Sequence, residues 1–87
     1  MSATVIRATR ASASALAAMA LHARAAEDAT HGITLNRRAV ERGYVPAGTY
    51  DRENETLRSA RDTARDNWRK AMKRHLKACE TLAANPL

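Results

Sequence analysis

Residues 57–82, with the sequence LRSARDTARDNWRKAMKRHLKACETL, contain no glycine or proline that would break a helix. Two rows of side chains recur in this stretch every seven residues, which is the repeat of a helix packed along another helix. Met72 and Cys79 widen the stripe that the two rows form. The rows are Leu57, Ala64, Ala71 and Ala78, and beside them Arg61, Trp68, His75 and Leu82. The stretch therefore predicts a long helix, over about residues 50–84, that packs on a second helix.

The N-terminal third of the chain predicts that second helix, over about residues 4–30. Ser2 or Thr4 can cap its start through a side-chain oxygen. A seven-residue repeat is present here too, although most of its members are small. One row is Val5, Ser12, Met19 and Ala26, and the row between them is Thr9, Leu16 and Ala23. The sequence Thr30-His31-Gly32 is expected to end the helix, because glycine adopts the left-handed conformation that often follows a helix.

The segment between the two long helices predicts a short connecting helix and a turn. The short helix would cover about residues 35–42 and end at Gly43. Pro46 and Gly48 then mark a turn before the long C-terminal helix begins.

The composition limits how much apolar surface these helices can cover. The 87 residues are enough for one domain, residues 1–87, and the apolar fraction of 45% includes 20 alanines. Burying alanine removes little apolar area from water, whereas alanine favours helix and lets two helices approach closely. We therefore predict an all-α fold, an antiparallel helical hairpin of two long helices with a short connecting helix. An apolar stripe would stay exposed on such a hairpin, so we also expect it to dimerise into a four-helix bundle.

The first helix also has features of a targeting segment. Arg7 and Arg10 precede a neutral run, and the sequence ARA at residues 23–25 resembles a signal-peptide cleavage site. The neutral run is mostly alanine and serine, so a folded helix is the preferred interpretation. The single cysteine, Cys79, fits a reducing compartment, and we expect a cytoplasmic protein. No stretch approaches the ~20 apolar residues of a membrane span.

Positive charge is concentrated at one end of the predicted hairpin. Residues 1–26 sum to +3, residues 27–66 to −1 and residues 67–87 to +4, within a net charge of +6. In an antiparallel hairpin the start of the first helix lies beside the end of the last. Most of the net charge is therefore expected at the end that carries the termini.

A row of cations along the C-terminal helix gives one functional hypothesis. Steps of four residues lag a full turn by about 40° each, so the row spreads over about 160° of the helix surface. Long cations without asparagine or glutamine suit phosphates rather than base edges. The row is Arg61, Arg65, Arg69, Lys73 and Lys77, to which Lys70 and Arg74 add two neighbouring cations. This hypothesis is a basic nucleic-acid-binding or architectural protein that binds weakly and without sequence preference.

The preferred hypothesis is a small non-enzymatic regulator or inhibitor that docks a helical surface on another protein. Trp68 falls on the packing seam, so we interpret it as core more than as a base-stacking platform. Tyr50 is expected to cap the end of the bundle and Tyr44 to contact a partner. The candidate partner-binding residues are Tyr44, Tyr50, Trp68, Arg69, Lys73 and Lys77. A compact chain rich in alanine and arginine also suits a bacteriophage or mobile-element product acting on a host factor, although no motif supports that association.

The sequence offers no catalytic constellation, cofactor motif or complete metal site. Its glycines are isolated, so none forms a phosphate-cradling loop. His75 and Cys79 have the spacing of two zinc ligands on one helix face, but His22 and His31 belong to another segment. Cys79 as a nucleophile would need a poised base and an oxyanion site, which His75 alone does not supply. We therefore expect no enzymatic activity.

Overall fold

The computed structural model describes residues 2–85, which form two long α-helices packed against each other. Helix α1 spans Ala3–Glu41 and helix α2 spans Asp51–Ala84. The pair forms an antiparallel rod with extents of 62 × 15 × 14 Å. The prediction of an all-helical hairpin is confirmed.

The start of α1 follows from its capping residue. The Ser2 hydroxyl accepts a hydrogen bond from the backbone N–H of Val5 at 3.2 Å, as one of the two predicted caps. Threonines inside the helix satisfy their own hydroxyls, because each donates to the carbonyl four residues earlier, as Thr9 does to Val5 at 2.8 Å. A long alanine-rich helix can therefore carry these polar residues without interruption.

The predicted end of the first helix at Thr30-His31-Gly32 is wrong, and so is the separate short helix at residues 35–42. Helix α1 runs through both segments without a break. Gly32 lies inside the helix at a close packing contact and not at a turn: a Cβ at this position would lie 3.1 Å from Cδ1 of Leu57 on α2. The small residue leaves room for Leu57 of the facing helix. The residues on either side of Gly32 keep the helical conformation at this position.

Helix α1 ends just before a second glycine, Gly43. Gly43 has a φ of 75°, and its N–H donates to the Val40 carbonyl at 3.0 Å. The N–H of Tyr44 donates to the Ala39 carbonyl at 3.0 Å, which completes a Schellman motif. The predicted stop at Gly43 is therefore confirmed as the end of α1 itself. Gly48, with a φ of 87°, provides the second left-handed residue of the turn that leads into α2.

The seam of α2 has the two predicted rows. The alanines of the first row are buried, and Leu57 at its start is half-buried. All four members of the adjoining row are half-buried. Met72 and Cys79, predicted to widen the stripe, are instead exposed beside the seam. The buried residues of α2 are Ala64, Ala71 and Ala78.

The seam of α1 differs from the prediction in one of its two rows. The row of Val5, Ser12, Met19 and Ala26 is half-buried, as predicted. The second row consists of the buried Ala8, Ala15 and Ala29, with the half-buried His22 among them. Of the predicted row only Ala23 is half-buried, whereas Thr9 and Leu16 are exposed. The reason is steric. Alanine rows on both helices allow a close approach, and a leucine between them would force the helices apart.

Two polar contacts set the register of the helices. The Ser12 hydroxyl and Nδ1 of His75 lie 2.9 Å apart towards the termini, and the Asn36 amide donates to the Asn54 side-chain oxygen at 2.9 Å near the turn. A slip of either helix would separate both partially buried pairs at once. Uniform alanine rows cannot distinguish one register from the next, so these contacts supply the specificity.

The alanine seam predicts a sharp contrast between two neighbouring positions. Ala15 is 1% exposed, whereas Ala17 is exposed on the outer face of the same helix. We expect Ala15→Leu to lower the free energy of unfolding by about 1–3 kcal/mol, because the larger side chain must push α2 away. Ala17→Leu should change it by less than about 0.5 kcal/mol. Equal effects in urea titrations followed by circular dichroism would contradict an alanine seam at this position.

The contact of Gly32 with Leu57 predicts a coupling between the two residues. Alanine favours a helix interior over glycine by about 1 kcal/mol, but at position 32 its Cβ would crowd Leu57. We expect Gly32→Ala to stabilise the chain by about 1 kcal/mol in a Leu57→Ala background and by clearly less in the parent chain. Urea titrations of the four proteins measure this coupling. An identical gain in both backgrounds would mean that the two residues do not meet.

Candidate functional site

The predicted row of cations winds around α2 and does not form one surface. Arg61 lies in the seam, half-buried, with its Nε 3.1 Å from Oδ1 of Asp62. Arg65 and Arg69 border a shallow pocket on one edge of the hairpin, and Lys77 lines a groove on the other. The spread follows from the lag of a four-residue step, so the candidate nucleic-acid residues are distributed over the seam, both edges and the outer face of α2.

One edge of the hairpin is apolar towards the termini. Three residues, Ala23, Arg65 and Arg69, border the same shallow pocket on this edge. Residues one heptad from them return to the same edge, since each seven-residue step keeps its place along the seam. These positions are Leu16, seven before Ala23, Met72, seven after Arg65, and Leu76, seven after Arg69.

The three side chains of this apolar edge are large and accessible. Leu16 and Leu76 are each 49% exposed and Met72 is 36% exposed. The Ser12–His75 contact fixes the levels along the rod, and it places Leu16 within about one residue of Met72. The two helices therefore contribute neighbouring halves of one strip, which we call the apolar edge: Leu16, Met72 and Leu76.

The opposite edge carries a groove lined by cations and hydroxyls. Its floor is alanine, and both helices contribute to its walls. We call it the cationic groove; it is lined by Thr4, Arg7, Ala8, Ala11, Arg74, Lys77, Ala78 and Thr81. Lys70, one heptad before Lys77, continues its row along α2.

The cations of the groove have no acidic partner in the part of the chain that the structure describes. The ion pairs within residues 2–85 are Arg37–Glu41, Arg61–Asp62 and Lys70–Asp66. Arg7, Arg74 and Lys77 belong to none of these pairs. Residues 1–26 contain no acid that could pair with Arg7 locally. Positive charge is thus gathered here without compensation.

The sequence prediction missed half of this groove. Arg74 and Lys77 were among the predicted nucleic-acid residues, whereas Arg7 and Thr4 were not. The available signal was the antiparallel pairing itself, which brings the first turns of α1 beside the last turns of α2. Lys73, another predicted residue, is exposed on the outer face of α2.

The two tyrosines lie at the far end of the rod from the cations. Tyr44 is 75% exposed just after the end of α1. Tyr50 is half-buried at the start of α2, in a pocket that Ile33 and Val40 also line. The 27 residues from Tyr50 to Lys77 correspond to about 40 Å of helix. The predicted partner-binding residues are therefore not brought together on one surface.

Trp68 occupies the seam and reaches its border. It is half-buried, and it lines the pocket that Arg65 and Arg69 border. The register places it level with Met19 of α1, one heptad from the Ser12–His75 contact. Its position is that of a packing residue with one accessible side, not of a free stacking platform.

His75, half-buried in the seam, contacts Ser12 across it and the exposed Cys79 beside it. The Sγ atom of Cys79 is 3.6 Å from Nε2 of His75, whose Nδ1 faces the Ser12 hydroxyl. Within residues 2–85, no group of three or more histidine, cysteine or acidic side chains could hold a metal ion. The arrangement supports the register of the helices.

The chain has no significant similarity to proteins that could indicate its role. No protein-family model matches it, and neither a curated protein nor a solved structure is significantly similar to it. In the part of the chain that the structure describes, neither helix has a segment long and apolar enough to span a bilayer.

The positions of Trp68 and Tyr44 predict opposite effects on stability. We expect Trp68→Ala to lower the free energy of unfolding by about 2–3 kcal/mol, because it removes the largest side chain from the seam. Tyr44→Ala should leave stability within about 0.5 kcal/mol, since the ring is mostly in solvent. Thermal and urea unfolding of the two variants provide the comparison. A stable Trp68→Ala variant would place the indole on the surface.

Proposed function

We propose that this chain is a small non-enzymatic regulator that acts by docking its apolar edge on another protein. The observation that carries the proposal is the exposure of Leu16, Met72 and Leu76 as one strip across both helices. The seam fully buries only alanines in the described residues, and these three larger apolar side chains stay exposed beside it. A contiguous apolar strip with a polar border is typical of a protein interaction site.

The surroundings of the strip favour an acidic partner. Arg65 and Arg69 border the same edge, and residues 67–87 sum to +4 beside an N-terminal segment of +3. Three half-exposed side chains do not supply the ~800 Å² per partner of a standard interface, so the charged border must take part. The partner that fits is an amphipathic helix with an apolar face and flanking carboxylates.

A second copy of this chain is the competing occupant, and the sequence prediction of a dimeric four-helix bundle refers to it. A symmetric dimer through the strip would bring two cationic ends together. Exposed like charges repel at low ionic strength, and salt weakens that repulsion. A partner with carboxylates is attracted by the same cationic border that would repel a second copy of the chain. For this reason we favour the acidic helix over self-association.

The test uses two designed helical peptides with the same leucine face, one flanked by glutamate and the other by lysine. Trp68 is the only tryptophan and lines a pocket on the apolar edge, so its fluorescence reports binding directly. We expect the glutamate peptide to bind and the lysine peptide not to bind. The double variant Leu16→Gln, Leu76→Gln should weaken binding at least tenfold, which is about 1.4 kcal/mol.

Leu21→Gln is the matched control. Leu21 is an exposed leucine of α1 that lies two heptads from Arg7, on the side of the cationic groove. This variant should bind the glutamate peptide like the parent chain. Equal binding of both peptides would refute the charge argument. Light scattering could instead give twice the chain mass of 9.5 kDa for the parent chain and a single chain mass for the double variant. That result would show that a second copy occupies the strip.

A further inference from the structure

We infer that the cationic groove binds the phosphates of a nucleic-acid backbone. Arg7 reaches the groove from α1, and Arg74 and Lys77 reach it from α2. These residues are far apart in the sequence and meet only because the helices are antiparallel. The inference concerns the edge opposite the apolar edge, so it does not depend on the proposed protein docking.

The groove concentrates positive charge. Three cations share one groove, and none pairs with a carboxylate in residues 2–85. Three other cations within residues 2–85, Arg37, Arg61 and Lys70, do have an acidic neighbour, as Lys70 has Asp66 at 3.5 Å. Cations that converge without compensation create a positive potential that concentrates an anionic ligand.

The chemistry of the side chains selects phosphate. A guanidinium can donate two parallel hydrogen bonds to phosphate oxygens, and an arginine lines each wall of the groove, Arg7 on α1 and Arg74 on α2. Lys77 adds a point charge, and the Thr4 hydroxyl adds a donor of the kind that contacts sugar and phosphate. The alanine floor keeps the groove open, so a backbone can lie along the seam.

The shape of the groove favours an extended polyanion over a single phosphate ion. Thr4 lies in the first turn of α1, but the other amides along the walls are inside helices and already donate to carbonyls, so side chains supply most of the donors. The cations also continue past the groove, because Lys70 lies seven residues, or about 10 Å, from Lys77 along α2. A backbone with regularly spaced charges can use all of them.

The groove also lacks what an acidic protein helix would need. None of its lining residues has an apolar side chain larger than alanine. A docked helix would therefore meet no large apolar side chain there against which to pack an anchor residue, and anchors supply most of the affinity of helical recognition. The lining contains no asparagine or glutamine, so binding should be insensitive to base sequence.

The test measures fluorescence anisotropy of labelled 20-base-pair DNA duplexes of two unrelated sequences, between 50 and 200 mM salt. The parent chain should bind both duplexes with similar affinity. With about three phosphates engaged, the slope of log K against log salt should be near −3. The triple variant Arg7→Gln, Arg74→Gln, Lys77→Gln should lose at least tenfold in affinity and most of that slope.

The control is a second triple variant with the same loss of charge, Arg58→Gln, Arg65→Gln, Arg69→Gln. These arginines are exposed on α2, and Arg65 and Arg69 border the other edge of the hairpin. We expect this variant to lose less than about threefold in affinity. Circular dichroism of both variants verifies that they fold; if the groove variant unfolds, the single variants Arg7→Gln and Arg74→Gln take its place, and each should weaken binding more than Arg65→Gln.

Three results would overturn the inference. Equal losses in the two triple variants would show that net charge alone attracts DNA. Equal affinity for a polyglutamate chain of matched charge, also lost in the groove variant, would assign the groove to acidic protein segments. Strong preference for one duplex would require base contacts that the groove cannot make. The double variant Leu16→Gln, Leu76→Gln should leave DNA binding unchanged, which separates this site from the apolar edge.

Discussion

The close approach of two alanine rows is the constraint on which the rest of this structure depends. The buried residues of the described chain are Ala8, Ala15 and Ala29 on α1 and Ala64, Ala71 and Ala78 on α2. A methyl group at each of these positions brings the backbones together and buries little apolar area. Stability therefore relies on the strong helix propensity of alanine and on the length over which the helices run. Gly32 also depends on this close approach, because its lack of a side chain gives Leu57 the space that a close seam does not otherwise provide.

The same seam decides what the surface presents. Only alanines are fully buried in it among the described residues, and Leu16, Met72 and Leu76 lie at the edge. The opposite edge receives Arg7, Arg74 and Lys77 from the two ends of the sequence. The edges face away from each other, so an acidic helix on one and a phosphate backbone on the other do not compete for space. If both proposals hold, the chain connects a protein to a nucleic acid.

The sequence was informative where large side chains interrupt a charged helix and misleading where every residue is small. In α2, Trp68 and Leu82 stand out among charged neighbours, and both predicted rows were confirmed. In α1 several rows are nearly all alanine, and the row that contains Leu16 was wrongly predicted to belong to the seam. Gly32 was interpreted by its local conformational freedom, whereas its role comes from a contact with the other helix. The winding of the cations around α2 followed from helical geometry, but Arg7 could join the groove only once the register was known.

Nuclear Overhauser effects between alanine methyl groups test the alanine seam most directly. The register set by Ser12 and His75 places Ala15 of α1 within about one residue of the level of Ala71 of α2, and ¹³C labelling of alanine and leucine methyls makes both visible. We predict a strong cross-peak between the methyl groups of Ala15 and Ala71, and no cross-peak between the methyl group of Ala17 and any methyl group of α2. Cross-peaks from the Leu16 methyls to Ala71, with none from Ala15, would show that leucine occupies the seam and would contradict the account.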